Sequence, residues 1–584
     1  MNPAFPVHEQ NRIGLSAEQA LVVRWLNAYL RESGQFPERG RSDWEIKLPL
    51  TNRALYLSFQ YLSASGHHRY RFPIRGSTAA GGKPVELAGI ETIDWLLAEV
   101  AASEPELPDM GERVARLREQ ALGSMAKTAK YLQAADRRIP RERDGDSAAN
   151  TLLLSEQSLL YGHPFHPTPK SSEGFSEEDL AKYAPELGAS FPLAYWAVHP
   201  EWLEERWLPG AEAGQMKRNW LSWESQVLAA TGDNRLLREG FRLLPCHPWQ
   251  SDYLRSLDSI KRGIREGKLV ELGGLGEKWY PTSSVRTVWS QDRPYYLKLP
   301  IQVRITNFVR TNDEEQRRRS LDAACVWEEA KMTFERGKFD VLPEFGFLSI
   351  RQSELLAETT VLFRDASPFN RSESEQWHVA ASLLEDENEP RPWLPRHSRE
   401  AEEWVRCYAD AYLSPVLWLF ADYGISLEAH VQNALIRIED GLPAGCLARD
   451  LEGMSVSRSS AFARRCAESV VESSSPVLYE EEEAWMRLLY YNLTNHWGHM
   501  LAAVSRSSGA DERRLWFVTA TWLADKARFG SERLQYWTRR LLDQKGLPAK
   551  ANLISRFQGR GERPIYNDIP NPLREQTTDS EGWR

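Results

Sequence analysis

The chain has 584 residues, of which 42% are hydrophobic and 27% are charged, a composition typical of an ordinary globular protein. Its formal net charge of −9 at pH 7 argues against nucleic acid or an anionic membrane as a partner, because either would need a large basic excess. Five scattered cysteines without a Cys-x-x-Cys pair, no signal-peptide pattern and no apolar run of membrane-spanning length predict a reduced, cytoplasmic protein.

The first third of the chain alternates between helical and strand-like patterns. A capping box formed by Ser16 and Gln19 predicts a helix that begins at Ser16, and further helices are predicted at residues 91–102 and 111–135. Strand-like runs bounded by Gly and Pro lie at residues 44–50, 54–62 and 67–74. The charged segment 136–146 is typical of an exposed connector, so we predict a first domain over residues 1–146.

The remaining chain divides into a motif-rich middle and a helical end. The middle ends near an acidic, polar stretch at residues 385–390, which predicts a second domain over residues 147–392. Beyond Ser398 the chain is strongly helical, except for one β-hairpin around a turn at residues 439–444. We therefore predict a third, helical domain over residues 393–584 and an α/β fold of mixed α+β type.

The most informative motif is a polar hairpin over residues 281–311. Strand-like alternation places apolar side chains on one face and polar ones on the other, the polar set being Lys298, Gln302, Arg304 and Thr306. Ser284 and Arg286 alternate in the same way across the turn at residues 290–294. Hydroxyls and cations on one face predict a phosphate-binding surface. The alternative is a half-solvated antiparallel pair with no ligand.

A second cluster lies at the open end of the later hairpin. Its closure is predicted to bring His430 and Asn433 beside Asp450. Oxygen ligands from Glu428, Asn433 and Asp450 suit Mg²⁺, which binds through a few protein oxygens and substrate phosphates. The alternative is a solvated hairpin end with a hydrogen-bonded core histidine.

A third cluster is the loop Gly162-His-Pro-Phe-His-Pro-Thr-Pro-Lys170. Proline after each histidine disfavours the helical backbone that would align a zinc-binding pair. The prolines instead predict an extended loop that presents His163, His166 and Lys170 to an anion. A purely structural proline-rich turn is the alternative, and His247-Pro-Trp-Gln250 is open to the same two interpretations.

Taken in order, these motifs resemble the NRPS-independent siderophore synthetases, the IucA/IucC family. The remaining matches are Ser283-Ser-x-Arg-Thr287, Thr306-Asn-x-x-Arg310 and Arg449-Asp450, and the resemblance covers about residues 150 to 575. It implies a cupped-hand architecture with an N-terminal thumb, fingers that carry the ATP-binding hairpin, and a helical palm that carries a β-hairpin. It also implies a homodimer.

The resemblance further implies a ligase that uses ATP and Mg²⁺ to adenylate a carboxylic acid. The acid is then joined to an amine, hydroxylamine or amino-acid nucleophile as an amide, and AMP and pyrophosphate are released. The segment Gln302-Val-x-Ile-Thr-Asn-Phe-x-Arg-Thr-Asn312 is similar to that of members that use free citrate. Other members act on a citryl or succinyl monoamide, which remains an alternative.

Residue roles follow from the same resemblance. ATP binding is implied for Ser283, Ser284, Arg286, Thr287, Lys298, Arg310, His163, His166, Lys170, His430 and Asn433. His430 and Arg310 would stabilise charge as the carboxylate attacks the α-phosphorus. Mg²⁺ would be bound by Glu428, Asn433 and Asp450. The acid substrate would be bound by Thr306, Arg487, Tyr490 and Lys550.

Two other classes compete with the ligase. A kinase-like phosphotransferase has a similar order of His, Asn and Asp, but it needs an Asp base two residues after the histidine, where this chain has Gln432. A non-catalytic siderophore-binding protein is the second, because the palm resembles ferric-siderophore reductase-like domains. Those domains depend on clustered cysteines, which this sequence lacks.

Overall fold

The computed structural model describes residues 7–38, 40–78, 82–138, 148–305, 308–334, 337–370, 375–385, 393–561 and 564–574. Within these ranges the protein has the mixed α/β fold that its sequence predicts. No helix in them is both long enough and apolar enough to cross a membrane.

The N-terminal part packs helices against a small sheet with strand order β1-β2-β4-β5, in which β3 pairs with β2. Its elements are α1 (Val7–Glu32), β1 (Asp43–Leu48), β2 (Arg53–Tyr61), β3 (Arg69–Tyr70), β4 (Ile74–Ser77), β5 (Val85–Leu87), α2 (Gly89–Ala102) and α3 (Met110–Arg138). Helix α1 begins at Val7, so the predicted start at Ser16 is wrong. In the sequence, Pro6 directly precedes Val7, and proline is a common signal for the start of a helix.

The middle part is built on a sheet in which every pairing is antiparallel, with the order β8-β16-β17-β12-β11-β10-β7-β9. Its helices are α4 (Ala148–Gln157), α5 (Glu177–Tyr183), α6 (Ala211–Ala230), α7 (Asn234–Arg238), α8 (Pro248–Ser256), α9 (Asp258–Arg265), α10 (Glu314–Ala330) and α11 (Ser353–Thr359). Its strands are β6 (Ser172–Glu173), β7 (Phe191–Val198), β8 (Leu203–Trp207), β9 (Arg242–Cys246), β10 (Leu269–Pro281), β11 (Thr287–Trp289), β12 (Tyr295–Lys298), β13 (Ile301–Ile305), β14 (Phe308–Arg310), β15 (Phe339–Leu342), β16 (Glu344–Ile350), β17 (Val361–Asp365) and β18 (Trp377–Val379).

The C-terminal part is mainly helical. Its helices are α12 (Ser398–Tyr408), α13 (Ser414–Trp418), α14 (Ala461–Ser469), α15 (Glu481–Leu488), α16 (Gly498–Ser508), α17 (Glu512–Arg528), α18 (Glu532–Asp543) and α19 (Asn552–Gln558). Its strands are β19 (Ile425–Ser426), β20 (Ala434–Glu439), β21 (Leu442–Arg449), β22 (Ser455–Ser457), β23 (Leu478–Tyr479), β24 (Gly546–Lys550) and β25 (Tyr566–Pro570). The predicted hairpin is β20–β21. A π-helical segment, Leu489–Trp497, separates α15 from α16, and such segments are frequent at functional sites.

Two hydrophobic cores organise these parts. One is continuous from the middle sheet into the C-terminal helices and includes Tyr195, Leu297 and Trp404. The other belongs to the N-terminal part, but Leu553 and Phe557 of α19 complete it. The division into thumb, fingers and palm at residues 146 and 392 stays a prediction.

The predicted polar strand is interrupted. Strand β12 ends at Lys298 in the large sheet, whereas β13 begins at Ile301 in a separate sheet with β14 and β6. Pro300 lies between them and has no N–H with which to continue a ladder. Ser284 and Arg286 lie in a loop, because Val285 between them has a φ of +68° and breaks the period of two. Their predicted strand alternation is therefore wrong.

Candidate active site

A cavity of about 890 Å³ lies where the three parts of the chain meet, within the usual size range of small-molecule sites. Most of the predicted site residues line it: His163, His166, Lys170, Ser283, Ser284, Arg286, Thr287, Lys298, Arg310, Glu428, His430, Asn433, Asp450, Tyr490 and Lys550. Arg487 is not among the lining residues, and Thr306 lies outside the described residues.

The loop from Thr282 to Thr287 is folded tightly by its own hydrogen bonds. The Thr282 amide donates to the Thr287 carbonyl, and the Val285 amide donates to the Thr282 carbonyl, each at 2.8 Å. The left-handed φ of Val285 is unfavourable for a β-branched residue. Strain of this kind is typical of functional loops, where the surrounding structure enforces it. The loop therefore has a fixed shape where Ser283 and Ser284 line the cavity.

Arg286 connects this loop to the next strands. Its guanidinium donates to the carbonyls of Arg310 and Thr311 and to Oδ1 of Asn312, at 3.2, 2.8 and 2.7 Å. Buried Asn312 donates in turn to the Lys298 carbonyl at 3.2 Å. Burial and the nearby charge of Arg286 lower the pKa of Arg310 to about 10, so Arg310 is still a cation at neutral pH. The Asn312 side chain thus links Arg286 to Lys298, and Arg286 in turn contacts the Arg310 backbone.

Lys298, Arg364 and Asp450 form what we call the inner end of the cavity. Lys298 Nζ donates to Asp450 Oδ1 at 2.6 Å and to Glu452 Oε2 at 2.8 Å. Arg364 donates to the same Asp450 oxygen at 2.8 Å and to Glu344 at 2.7 Å. Burial raises the pKa of Asp450, but the cations Lys298 and Arg364 outweigh it and hold that pKa below its usual range. Lys298 and Arg364 are therefore held in fixed positions, and an incoming phosphate would share Lys298 with these carboxylates.

A second buried ion pair supports the loop from behind. Both oxygens of Glu156 accept hydrogen bonds from the Arg449 guanidinium, and Oε2 also accepts one from the Ser283 amide at 3.1 Å. The side chains of Glu156 and Arg449 are 1% and 5% exposed. Arg449 also donates to the Gln432 carbonyl at 2.8 Å, and the Gln432 side chain donates to Ser283 Oγ at 3.3 Å. Glu156 therefore ties the loop to the β20–β21 hairpin.

The His-Pro motifs share one local geometry. The Nδ1 atoms of His163, His166 and His247 each accept a hydrogen bond from the amide two residues later, at 3.2, 3.1 and 3.2 Å. The intervening proline keeps the histidine backbone extended and has no N–H that could compete. An accepting Nδ1 carries no proton, so the neutral ring has its proton on Nε2. His163 can therefore offer an Nε2–H donor to a ligand in the cavity, and His166 lines the same cavity.

His430 has the same geometry without a proline. Its Nδ1 accepts a hydrogen bond from the Gln432 amide at 3.2 Å, and its Nε2 lies 3.7 Å from Glu428 Oε1. Burial and the nearby Lys550 ammonium lower the pKa of His430 to about 4. At neutral pH His430 is therefore a neutral Nε2–H donor, which stabilises developing negative charge through a hydrogen bond rather than as an imidazolium.

Lys550 lies among aromatic rings. Its ammonium is 4.9 Å from the ring centroid of Tyr490 and 5.0 Å from that of Tyr491, and it donates to the Tyr491 hydroxyl at 3.2 Å. Burial lowers the pKa of Lys550, whereas the Glu428 carboxylate raises it. Arg487 lies behind this wall, 3.9 Å from Glu428. Lys550 and Tyr490 thus face the cavity, while Arg487 influences it through Glu428.

Lys170 lines the cavity, but its charge already has a partner. Its ammonium donates to Glu186 Oε1 at 2.7 Å and to the Leu159 carbonyl. Buried Glu186 would compete with any phosphate for this cation. The pair therefore stabilises the shape of the loop over residues 162–170.

The three predicted Mg²⁺ ligands line one region of the cavity. Burial raises the pKa of Glu428, Lys550 opposes this shift, and the charge of Asp450 adds to it. Asn433 donates from Nδ2 to the Glu428 carbonyl at 3.2 Å, which leaves Oδ1 for a ligand. In the described ranges, no group of three or more His, Cys, Asp or Glu side chains could hold a metal by itself. Mg²⁺ needs only one or two carboxylates when phosphates complete its shell, so the residues fit a metal that enters with a nucleotide.

The N-terminal part also contributes to the cavity, which no sequence pattern predicted. Arg24, Arg69, Arg113 and Arg116 line it. The single available signal was the pair of like charges on Arg113 and Arg116, which lie almost one turn apart on α3. Glu156, which supports the Thr282–Thr287 loop, is one carboxylate in an ordinary helix and had no diagnostic spacing.

Known proteins match the chain along nearly its whole length. The IucA / IucC family matches residues 151–385, and the ferric iron reductase FhuF-like transporter family matches residues 402–565. The L-2,3-diaminopropanoate–citrate ligase of Staphylococcus aureus is 37% identical over 581 residues, covering 95% of this chain and 96% of that protein. An N(2)-citryl-N(6)-acetyl-N(6)-hydroxylysine synthase of Escherichia coli is 27% identical over 596 residues, covering 96% and 98%.

Solved structures share the fold. ATP-bound aerobactin synthetase IucA from Klebsiella pneumoniae superimposes with a TM-score of 0.81 at 24% identity, covering 95% of this chain and 99% of that one. The petrobactin biosynthesis protein AsbB from Bacillus anthracis gives a TM-score of 0.77 at 17% identity, covering 97% and 96%. These superpositions confirm the fold predicted from the resemblance. Because the similarity to the Staphylococcus ligase also extends over almost the entire sequence, the chain belongs to the IucA / IucC family.

Proposed function

We propose that the protein is an ATP-dependent ligase that adenylates citrate and joins it to an amine, with release of AMP and pyrophosphate. The observation that carries this proposal is the convergence of the Thr282–Thr287 loop, Lys298, Arg310, His430 and Lys550 on one cavity. Full-length similarity to a ligase named for citrate supports citrate as the acid.

In the first step, a citrate carboxylate oxygen forms a bond to the α-phosphorus of ATP. The bond from that phosphorus to the bridging oxygen breaks, and pyrophosphate leaves. Negative charge must be stabilised on the oxygens around the phosphorus during this exchange. We assign that stabilisation to the Arg310 guanidinium and the His430 Nε2–H, and we assign binding of the outer phosphates to Lys298 and the Thr282–Thr287 loop.

In the second step, the amine nitrogen forms a bond to the acyl carbon of citryl adenylate. The bond from that carbon to the phosphate oxygen breaks, AMP leaves, and the nitrogen loses a proton. Citrate keeps negative carboxylates throughout, so it needs cations and donors around it. In the cavity wall beside His430, Lys550 supplies a cation and Tyr490 supplies a hydroxyl donor.

We assign binding of Mg²⁺ to Glu428, Asn433 and Asp450. When bound with ATP, the metal would neutralise part of the phosphate charge. Thr306 stays a predicted citrate contact. We also propose that the protein works as a cytoplasmic homodimer, and the five cysteines, none of them in a disulfide, are compatible with a reducing compartment.

The proposal is tested by an assay that contains ATP, Mg²⁺, citrate and hydroxylamine and that resolves AMP from ADP. We expect AMP, pyrophosphate and a citryl hydroxamate, all of which disappear when citrate is left out. Formation of ADP would instead support the kinase-like alternative. Turnover with a citryl or succinyl monoamide but not with citrate would contradict the choice of acid and support the other subtype.

A further inference from the structure

Four arginines lie together at another part of the cavity wall, and we call them the arginine cluster. They are Arg113 and Arg116 of α3, Arg304 of β13 and Arg556 of α19, and all four line the cavity. The proposed roles in phosphate, metal and citrate binding use none of them. Because three distant segments of the chain supply these residues, their meeting is a property of the fold rather than of one charged sequence run.

Glu173 and Gln120 organise the cluster. Arg556 donates to Glu173 Oε1 at 3.2 Å and to Gln120 Oε1 at 3.2 Å, and the Gln120 amide donates to Glu173 Oε1 at 2.7 Å. Arg304 Nε lies 3.8 Å from Glu173 Oε2. Arg304 and Arg556 thus share one carboxylate. Arg556 is 12% exposed and therefore preorganised, whereas Arg304 is 42% exposed and can turn towards a ligand.

The arginines repel one another even with Glu173 present. Burial lowers the pKa of Arg556, Glu173 opposes this, and the positive charges of Arg304 and Arg116 lower it further. An anion bound between these guanidinium groups would relieve the repulsion. A carboxylate suits such a site best, because a planar guanidinium can donate two parallel hydrogen bonds to its two oxygens.

The cluster lies beside the residue that we assign to the reacting phosphorus. Arg310 donates to the carbonyl of Ile305 at 3.2 Å, and Ile305 is the residue after Arg304. Arg304 also pairs in register with Val309, the residue before Arg310. Strand alternation directs the Arg304 and Arg310 side chains to opposite faces of this strand pair, but both line the cavity. A ligand held by Arg304 would therefore share the cavity with the acyl adenylate that the attacking amine must reach.

We infer that the arginine cluster binds a carboxylate of the amine substrate, which makes the nucleophile an amino acid rather than a simple amine. This inference rests on the proposed function, because it assigns the second substrate of the same reaction. Arg304 is its specificity-determining residue, and Arg556 is held in place for the same carboxylate by Glu173 and Gln120.

The test compares two nucleophiles that differ by one carboxylate, L-2,3-diaminopropanoate and 1,2-diaminoethane. We expect the wild-type protein to show a higher kcat/KM for the first, and Arg304→Gln to lower the ratio of the two values at least tenfold, mainly through KM. Arg304→Lys should recover part of the ratio, because lysine restores the positive charge but cannot donate two parallel hydrogen bonds to a carboxylate as a planar guanidinium does. Arg262→Gln, at an exposed arginine outside the cavity, is the matched control and should keep the wild-type ratio.

Several results would overturn the inference. Equal losses for both amines in Arg304→Gln would show that Arg304 only supports the fold, and a raised KM for citrate with an unchanged ratio would show that the carboxylate comes from citrate. If Arg304→Gln does not fold, Arg116→Gln, at an exposed position, replaces it with the same expected direction. If neither diamine is turned over, both are measured as inhibitors of hydroxylamine turnover, and equal inhibition contradicts the inference.

Failure of the proposed function gives a different result. In that case the wild-type protein forms no citrate-dependent AMP with hydroxylamine. If hydroxylamine is used normally and the wild-type protein does not prefer the carboxylate-bearing diamine, only the inference about the arginine cluster fails.

Discussion

The inner end of the cavity and the arginine cluster both present cations, but they balance them differently. At the inner end, Lys298 and Arg364 are 3% and 4% exposed, and each contacts two carboxylates. In the arginine cluster, the more exposed Arg304 and the less exposed Arg556 both contact the Glu173 carboxylate. Buried charges are costly to disturb once paired, whereas exposed ones are screened by water. The comparison suggests a rigid charge array for the common chemistry and an adjustable one for choosing the amine.

The largest effect is expected where a buried charge loses its partner. Glu156→Gln keeps the shape of the side chain but leaves Arg449 without its buried counter-charge. Breaking such a pair costs about 3–5 kcal/mol, and we expect the free energy of unfolding to fall by that amount. Chemical denaturation followed by circular dichroism measures it.

The same variant should also raise the KM for ATP, because the Ser283 amide loses its carboxylate acceptor. A Glu156→Gln protein with wild-type stability and wild-type KM would show that the loop over Thr282–Thr287 does not depend on this pair. Such a result would contradict the claim that buried charge pairs make this part of the cavity rigid.

The next effect concerns the groups assigned to the α-phosphorus. Arg310→Ala or His430→Ala should lower citrate-dependent AMP formation at least about a hundredfold, which is the scale for losing one preorganised stabilising group. Circular dichroism of each variant serves as the control for folding. Near wild-type AMP formation by a folded variant would show that the residue has no such role.

Several histidines with lowered pKa values extend the comparison to pH. Burial lowers the pKa of His67, His68, His163, His247, His430, His496 and His499. These rings stay neutral in the folded protein, whereas in the unfolded chain each takes up a proton below about pH 6.5. The free energy of unfolding should therefore fall as the pH drops below 6.5, by up to about 1.4 kcal/mol per pH unit for each histidine. Urea unfolding at pH 7.5 and 5.5 tests this, and equal stability at both values would contradict it.

The smallest effect is expected at the arginine cluster itself. Glu173→Gln is the same chemical change as Glu156→Gln, but the Glu173 side chain is 47% exposed and its ion pairs are screened. We expect the free energy of unfolding to change by less than about 1 kcal/mol, measured by the same denaturation experiment. If Glu173→Gln lowered the free energy of unfolding as much as Glu156→Gln does, the arginine cluster would be as rigid as the buried ion pairs. The distinction between rigid and adjustable charges would then be wrong.

Much of the fold could be predicted because its elements carry local signals. Helix α3 was expected at residues 111–135 and spans Met110–Arg138, and the hairpin β20–β21 was expected around the turn that contains Asp440 and Gly441. Both turn residues have positive φ, as a tight hairpin turn requires. The break between β12 and β13 was missed, because alternation continues through Pro300 although the strand does not.

The site was predictable where motifs are contiguous and not where it depends on distant partners. The residues from Ser283 to Thr287 could be singled out because they lie together in the sequence. Glu156 and the arginine cluster could not, because their role arises only when distant segments meet. The neutral state of His430 was also missed, since it follows from burial and from Lys550 more than a hundred residues away.

The C-terminal helix α19 completes the core of the N-terminal part. Leu553 and Phe557 are fully buried there, and the Glu32 carboxylate accepts hydrogen bonds from the Leu553 and Ile554 amides at 2.8 Å each. During synthesis, the N-terminal part therefore cannot close its core until residues 552–558 have left the ribosome. Lys550 lies just before this helix, so the same docking event also finishes the cavity, and a nascent chain can have no working site before α19 has been made and docked.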